Sequence, residues 1–394
     1  MYKIQTLNTI ANAGLSQFPD HLYEIGFRIE NPDVLLVRSH SLHNAIIPES
    51  VKAIGRAGAG LNNIPLEALT KRGIPVFNTP GANANAVREL VIAGMLLASR
   101  NICQAWHYVH QLHPETADLH HVIEENKKQF VGFELMGKTL GIIGLGSIGV
   151  KVANAAINLG MQVIGYDPTI TVNRAWELSS QVKQMHSIDE LLKEADFISF
   201  HIPLTPETKH IINTSRFQNM KNGVTLLNFA RDGIIDNHAL LAALNEKKVF
   251  TYVSDFPCAE LKNHPRVISL PHLGASTTEA EENCAVMIAK QIRQFLEIGS
   301  IINAVNFPVM NAHSLKQGTR LAIVNENIPN MVAQISSKIA EAGLNITGLL
   351  NHSLKDIAYT LIDINSSITT DVIKKITSIE GVMQLRQLKT REII

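Results

Sequence analysis

Cysteine is scarce in this chain. Cys103, Cys258 and Cys284 are scattered and form no C-x-x-C pair, which argues against a disulfide framework or a thiolate zinc site and suits a reducing compartment. An excess of charge of one sign is missing too: Lys+Arg and Asp+Glu number 35 each. A formal net charge of zero gives no electrostatic case for nucleic acid or an anionic membrane surface as partner. No uninterrupted apolar run reaches membrane-spanning length, and the opening Met1-Tyr-Lys-Ile-Gln-Thr-Leu-Asn8 lacks a signal peptide's apolar stretch. These absences predict a soluble, cytoplasmic protein. With 394 residues, 45% of them hydrophobic, the chain can bury two or three ordinary cores.

What is present is a glycine turn in a specific setting. Leu140 to Ile143 read as a short buried strand, Gly144, Gly146 and Gly149 form G-x-G-x-x-G, and Ile148 to Leu159 follow as a helix ended by Gly160. A second strand, Met161 to Tyr166, stops at Asp167. In a dinucleotide site the first glycine makes the tight turn, the second lets backbone approach a pyrophosphate, and the third seats the helix on the sheet. The helix N-terminus then faces the phosphates. The acid after the second strand takes the ribose hydroxyls and repels a 2′-phosphate. No arginine adjoins Asp167, although Arg174 lies a few residues on. The pattern predicts bound NAD rather than NADP; a coincidental glycine turn is the competing reading.

Strand and helix signals alternate on both sides of this unit. Val34 to Val37, Ala53 to Gly55 and Ile74 to Phe77 read as strands that run into Arg38-Ser39, Arg56-Ala-Gly58-Ala-Gly60 and Asn78-Thr-Pro-Gly81. Such carboxyl ends are where open α/β sheets bind ligands. Val87 to Ser99 reads as an apolar helix able to hinge into the central domain. Beyond Asp167 come helix Ile188 to Glu194, strands Asp196 to Ile202 and Val224 to Phe229, helix Asp236 to Asn245 with Asp236 as N-cap, and strands Phe250 to Ser254 and Val267 to Leu270. Thr277 to Ile298 is a long helix returning to the first domain, and 303–317 a linker. The tail reads strand Arg320 to Val324, helix Pro329 to Ala342, strands Leu344 to His352 and Ala358 to Asn365, helix Thr370 to Ile379 and strand Val382 to Lys389. That is the ferredoxin-like order, in a short, self-contained and separable module.

The fold class is therefore α/β: two doubly wound parallel-sheet domains, one for substrate and one of Rossmann type, plus a C-terminal ferredoxin-like domain. The expected boundaries are 1–98 with 287–310, 99–286, and 318–394. The two long helices, 87–99 and 277–298, suit a dimer interface. His107, His110, His113, His120 and His121 crowd one stretch. With no carboxylate or cysteine expected at helical spacing, they read as solvated surface, and no metal is expected.

Arg231, Glu260 and His272 stand near strand ends of the dinucleotide domain. Hydride transfer to a ketone needs a cation to hold a carboxylate and polarise the carbonyl, which suits arginine's planar fork. It also needs an acid/base with a pKa near neutrality, which suits histidine, and an adjacent Glu would favour the imidazolium. From spacing alone each reads more readily as a surface group. The chain holds 16 histidines, and Glu260 lies in the polar run Cys258-Ala-Glu-Leu-Lys-Asn-His264.

The segments His201-Ile-Pro203-Leu-Thr-Pro-Glu-Thr208, Asn228-Phe-Ala-Arg231-Asp-Gly-Ile-Ile-Asp236, Asp255-Phe-Pro with Glu260, and Pro271-His272-Leu-Gly-Ala-Ser-Thr277 resemble the signatures of the D-isomer-specific 2-hydroxyacid dehydrogenases. Together with the glycine motif they cover 137–277 in that family's order. The resemblance implies that Arg231 holds the substrate carboxylate, that His272 is the acid/base and that Glu260 is its partner. It also implies cofactor contacts from Ser147, Ile148, Asp167, His201, Pro203, Thr208, Phe229, Ala230, Asp255, Gly274 and Ala275.

Val37-Arg38-Ser39, Gly55-Arg56-Ala-Gly58-Ala-Gly-Leu-Asn-Asn63 and Val76 to Leu90, with Asn83 and Asn85, resemble the phosphoglycerate dehydrogenase branch of that family in its shorter form with one ACT domain. Arg38 and Arg56, beside Ser39, Gly58, Asn83 and Asn85, suit a phosphate dianion; a structural salt bridge is the other reading of either arginine. The branch implies oxidation of D-3-phosphoglycerate to 3-phosphohydroxypyruvate with NAD, the entry to serine biosynthesis, in a homodimer or homotetramer. The alternative is NADH-dependent reduction of glyoxylate, hydroxypyruvate or another unphosphorylated 2-keto acid; a dinucleotide-sensing binding protein is the non-enzymatic rival. The tail resembles an ACT domain, which implies serine or another amino acid as effector at Asn325, Asn327 and Asn345. Asn325 and Asn330 stand where the serine-sensing turn carries histidine and glycine, so a purely assembling tail is an equal reading.

Overall fold

The computed structural model describes residues 1–113, 118–315 and 317–389. Its contacts divide the chain into two compact units, 1–82 with 281–394 and 83–280. Among the described residues no helix is long and apolar enough to cross a membrane.

The first unit carries a five-stranded parallel sheet in the order Tyr23–Gly26, Tyr2–Thr6, Val34–Val37, Ala53–Arg56, Val76–Phe77. All four residues of the apolar strand Val34–Val37 are buried, as expected of a parallel strand covered on both faces. Val37 pairs in register with Arg56, which brings Arg38 and Arg56 to the carboxyl ends of neighbouring strands. The helix Thr278–Ile298 runs through the core of this unit from Glu281 onward, burying Ala285, Ile288, Ile292 and Leu296 and setting the Phe295 ring 5.4 Å from Phe77. Its apolar face is thus used within the chain.

The same unit holds a four-stranded antiparallel sheet, Ile346–Leu354, Ile357–Ile364, Thr319–Glu326, Val382–Lys389. With helices Met331–Glu341 and Thr370–Thr377 it completes the expected β-α-β-β-α-β order. The tail is less self-contained than expected, because its sheet has two buried faces. Leu321 and Ile323 point to the tail's own helices, among Ile335, Ile339 and Ile376. Ala322 and Val324, one residue out of phase, join Tyr359, Leu361 and Leu388 in a core shared with Phe295, Leu296 and Phe307. The Tyr359 hydroxyl donates to the Gly299 carbonyl (2.9 Å). Arg320 forks onto Asp363 at 2.6 and 2.8 Å and donates to the carbonyls of Ile298 and His313. The Arg386 guanidinium lies 3.7 Å from the Phe295 ring centroid.

The second unit is a seven-stranded parallel sheet: Val267–Ser269, Val249–Ser254, Val224–Asn228, Phe197–Phe200, Thr139–Ile143, Gln162–Tyr166, Lys183–Gln184. The chain starts in the middle at Thr139–Ile143, runs to one edge, and returns at Phe197–Phe200 to build the other half. The crevice outside the carboxyl ends of those two strands is the topological switch point of such a sheet. Helix Ala84–Ser99 packs here against helix Ser147–Asn158. Two helices that the sequence left unassigned, Ile102–Gln111 and Leu119–Asn126, bury none of their residues. One turn along the second of them, His121 meets Glu125 at 3.1 Å, a carboxylate at helical spacing where none was expected. Both side chains are exposed, and among the described residues no group of three or more His, Cys, Asp or Glu could hold a metal.

Candidate active site

The glycine turn opens the second unit's switch point. Gly144 donates its N–H to the Tyr166 carbonyl (2.9 Å), tying the turn to the next strand. A Cβ on Gly149 would overlap the carbonyl oxygen of Gly144, so the helix Ser147–Asn158 seats only without a side chain there. Asp167 accepts from the Leu145 N–H (2.8 Å) with one oxygen and from the Thr169 N–H (2.8 Å) with the other. Its carboxylate is thereby oriented beside the turn. Arg174 does not reach it and pairs with Glu177 instead (2.6 Å).

Across the switch point, His201 follows strand Phe197–Phe200 and donates its backbone N–H to the Ile143 carbonyl (2.8 Å). Its Nε2 meets the Ser199 hydroxyl at 2.9 Å, and its Nδ1 is buried without a hydrogen-bond partner. Burial pushes its pKa down to about 3, so this ring stays neutral and does not titrate near neutrality. The Thr208 hydroxyl donates to the Pro203 carbonyl (2.6 Å) and closes the following loop on itself.

Arg231 is delivered by a turn that Asn228 organises. Asn228 is buried; its side chain donates to the Arg231 carbonyl (3.0 Å) and to the Tyr252 hydroxyl (3.3 Å), and it accepts from the Ala230 N–H (3.2 Å). The signal for this role was an asparagine at a strand end before a turn. Arg231 is exposed, with Nη1 on the Ala230 carbonyl (2.6 Å). Phe229 is buried, with Ala230 half-buried after it.

His272 sits in a tight turn in the left-handed region (φ 59°), where a non-glycine residue carries strain. Asp255 holds that turn. Its carboxylate accepts from the backbone N–H groups of Leu273 and Gly274, each at 2.7 Å, and its carbonyl accepts from the His272 N–H (3.1 Å). Asp255 is only 1% exposed, and burial pushes its pKa up against those bonds. A residue expected to touch cofactor therefore has both carboxylate oxygens committed to backbone. The His272 ring packs on Phe256 (5.1 Å between centroids). Ala275 lies half-buried beyond Gly274. Glu260 accepts a long hydrogen bond from the Cys258 thiol (3.8 Å) and forms no hydrogen bond or ion pair with His272. Asn83 is the N-cap residue of helix Ala84–Ser99 without a side-chain cap bond, and Asn85 donates to Glu89 (2.9 Å).

In the first unit, Arg38 is rooted by its N–H donating to Asn8 Oδ1 (2.9 Å) and its carbonyl accepting from Asn63 (3.3 Å). Its Nη2 meets Glu281 at 2.5 Å. Ser39 accepts from Asn8 (3.2 Å). Gly58 has no side chain where the Arg56 guanidinium lies, and a Cβ there would collide with it. In the tail, Asn325 is buried and spent inside the sheet, donating to the Glu326 carbonyl (2.7 Å) and accepting from Thr360 (3.3 Å). Asn327 donates to the Lys355 carbonyl (2.9 Å), and Asn345 is exposed. Asn330 adopts φ 70°, a left-handed conformation that asparagine tolerates in place of glycine.

Comparison with known proteins places these elements in a family. Residues 92–274 match the model of the D-isomer specific 2-hydroxyacid dehydrogenase, NAD binding domain. The D-3-phosphoglycerate dehydrogenase of Haemophilus influenzae is 33% identical over 347 residues, covering 85% of this chain and 81% of that one. The chain belongs to the D-isomer-specific 2-hydroxyacid dehydrogenase family. The hydroxypyruvate reductase of Thermotoga maritima is 40% identical over 283 residues, 69% of this chain and 86% of that one. A solved structure of NAD+-bound 3-phosphoglycerate dehydrogenase from Entamoeba histolytica superposes with a TM-score of 0.60 at 29% identity, over 77% of this chain and 98% of the other. The chain spans only about half the length of several other curated relatives it matches, 49% to 58%.

As a D-isomer-specific 2-hydroxyacid dehydrogenase the chain uses NAD, and the second unit fits that cofactor. The helix after the glycine turn begins at Gly146 without a side-chain cap, leaving its first-turn N–H groups to an anion. A Cβ at Gly146 would meet open space, so backbone is accessible there. Asp167 stands next to the turn with its carboxylate oriented by the Leu145 and Thr169 N–H groups, and the orphaned Nδ1 of His201 is a further polar group of this unit.

Proposed function

We propose that the chain oxidises D-3-phosphoglycerate at C2 to 3-phosphohydroxypyruvate, the entry to serine biosynthesis. The observation that carries this reading is the placement of Arg38 and Arg56 at the carboxyl ends of register-paired strands. Two guanidinium forks on adjoining strand ends suit a phosphate dianion better than they suit a plain hydroxy acid.

NAD, when bound, supplies the hydride acceptor. Arg231 holds the substrate carboxylate and polarises the developing carbonyl. His272 takes the C2 hydroxyl proton on its imidazole, and its strained turn, anchored by Asp255, keeps the ring aimed. Glu260 stabilises the resulting imidazolium once its loop brings it to His272. Gly144, Gly146, Ser147, Ile148 and Asp167 hold the dinucleotide. The three-part division into a substrate domain, an NAD domain and an ACT domain goes with this reading, as does a cytoplasmic location. So does a homodimer or homotetramer, which exposed Ile102, Trp106 and Val109 on one helix support. Asn327 and Asn345 are the accessible members of an amino-acid effector site for serine.

The test is NADH formation by the purified protein with D-3-phosphoglycerate beside D-glycerate, D-lactate and 2-hydroxyglutarate. The expected result is turnover dominated by the phosphorylated acid. Turnover confined to unphosphorylated acids would replace the substrate with that of the reductase reading, which the Thermotoga maritima likeness favours.

A further inference from the structure

Arg38 is fixed at its root and engaged at its tip. Asn8 and Asn63 hold its backbone from two sides, while Nη2 reaches Glu281 Oε1 at 2.5 Å. Glu281 stands in the first turn of helix Thr278–Ile298, far from Arg38 in sequence, and both side chains are more than one-third exposed. The pair is accessible to a ligand from solvent and has no burial to lock it.

Arg38 with Glu281 is neutral as a pair, so a carboxylate already offsets the positive charge that Arg38 offers an anion. The neighbouring Cys284 thiol, whose pKa burial pushes up, stays neutral. An incoming phosphate dianion finds Arg38 already holding a carboxylate. It must take over Arg38 from Glu281, and it then sits near that displaced anion.

We infer that Glu281 is a charge competitor for the phosphate, and that it sets how strongly the enzyme prefers phosphorylated over unphosphorylated hydroxy acids. It acts through Arg38 and touches no reacting atom, so it is a specificity-determining residue. The inference rests on the proposed phosphate role of Arg38 and Arg56.

Glu281→Gln keeps the side chain's length and its hydrogen-bond acceptor while removing the charge. Inorganic phosphate titrated calorimetrically into the full chain is expected to bind about three- to tenfold tighter to the variant at low salt, with the gain shrinking as ionic strength rises. KM for D-3-phosphoglycerate should fall by a similar factor. KM for D-glycerate, the same skeleton without the phosphate, should hardly move. Weaker phosphate binding, or equal shifts for both acids, overturns the inference, because Glu281 would then be positioning Arg38 rather than competing for it. Arg38→Ala separates the two layers. If it weakens phosphate binding while Glu281→Gln does nothing, the competitor role fails alone. If Arg38→Ala leaves phosphate binding unchanged, the phosphate assignment itself fails.

Discussion

Replacing Asp255 with asparagine isolates the clamp on the His272 turn. The native carboxylate accepts two backbone N–H groups at 2.7 Å each and is 1% exposed. A carboxamide offers one oxygen, so its NH2 must face one of those amide donors. One charge-assisted bond is lost, about 1.5–3 kcal/mol, and an N–H is left buried without an acceptor, about 1–3 kcal/mol. Removing a buried charge offsets part of this, since burial alone disfavours the ionised Asp255. The net cost is about 3 kcal/mol. For a unit of about 200 residues that lowers the melting temperature by about 6–12 °C. The loosened turn also misaims the His272 ring, and a displacement of about 1 Å at a reacting group costs about 100-fold in rate. Thermal unfolding and steady-state kinetics on the same preparation read both quantities. An unchanged melting temperature with a raised KM for NAD would refute the clamp and return Asp255 to a simple cofactor contact.

Two further perturbations test the glycine turn and the electrostatics of the sheet. Gly149→Ala should lower both thermal stability and NAD affinity, because its Cβ overlaps the Gly144 carbonyl; Gly146→Ala, facing open space, should lower only NAD affinity. Calorimetric NAD titration beside a melting curve checks the pair, and destabilisation by Gly146→Ala would sink the distinction. Burial raises the Asp196 pKa, but the Thr139 amide (2.8 Å) and Lys221 (3.0 Å) outweigh it, so the folded value lies below the unfolded one. Its contribution is therefore present above the unfolded pKa of about 4 and lost as pH falls through the lower folded value. Urea midpoints measured downward from about pH 4 should fall less steeply for Asp196→Asn than for the parent, and parallel acid limbs would contradict this.

Much of the dinucleotide unit was legible because its signals are local. The glycines, the capping Asp236, whose side chain accepts from the Ala239 N–H (3.0 Å), and the apolar strands each declare themselves within a dozen residues. Helix Ile188–Glu194 and strand Val382–Lys389 stand where the pattern put them. The edge strand Tyr23–Gly26 and its neighbour Tyr2–Thr6 were not legible, since they are short and only partly apolar. Contacts between distant residues were closed to inspection as well. Nothing near Arg38 announces Glu281, and nothing near Asp255 announces that its oxygens go to Leu273 and Gly274. The tail did hold an unread clue. Ile357-Ala-Tyr-Thr-Leu-Ile362 is buried at every position rather than at alternate ones, the mark of a strand covered on both faces.

That clue bears on how such a chain can be recombined. Because Tyr359, Leu361 and Leu388 share one core with Phe295 and Phe307, the ferredoxin-like tail is not a cassette. A gene cut near residue 317 would leave both halves sticky, one with a stripped helix and the other with a naked sheet face. A functional fusion of this tail to another scaffold would have to bring along the last turns of Thr278–Ile298, so the unit of exchange is helix and sheet together.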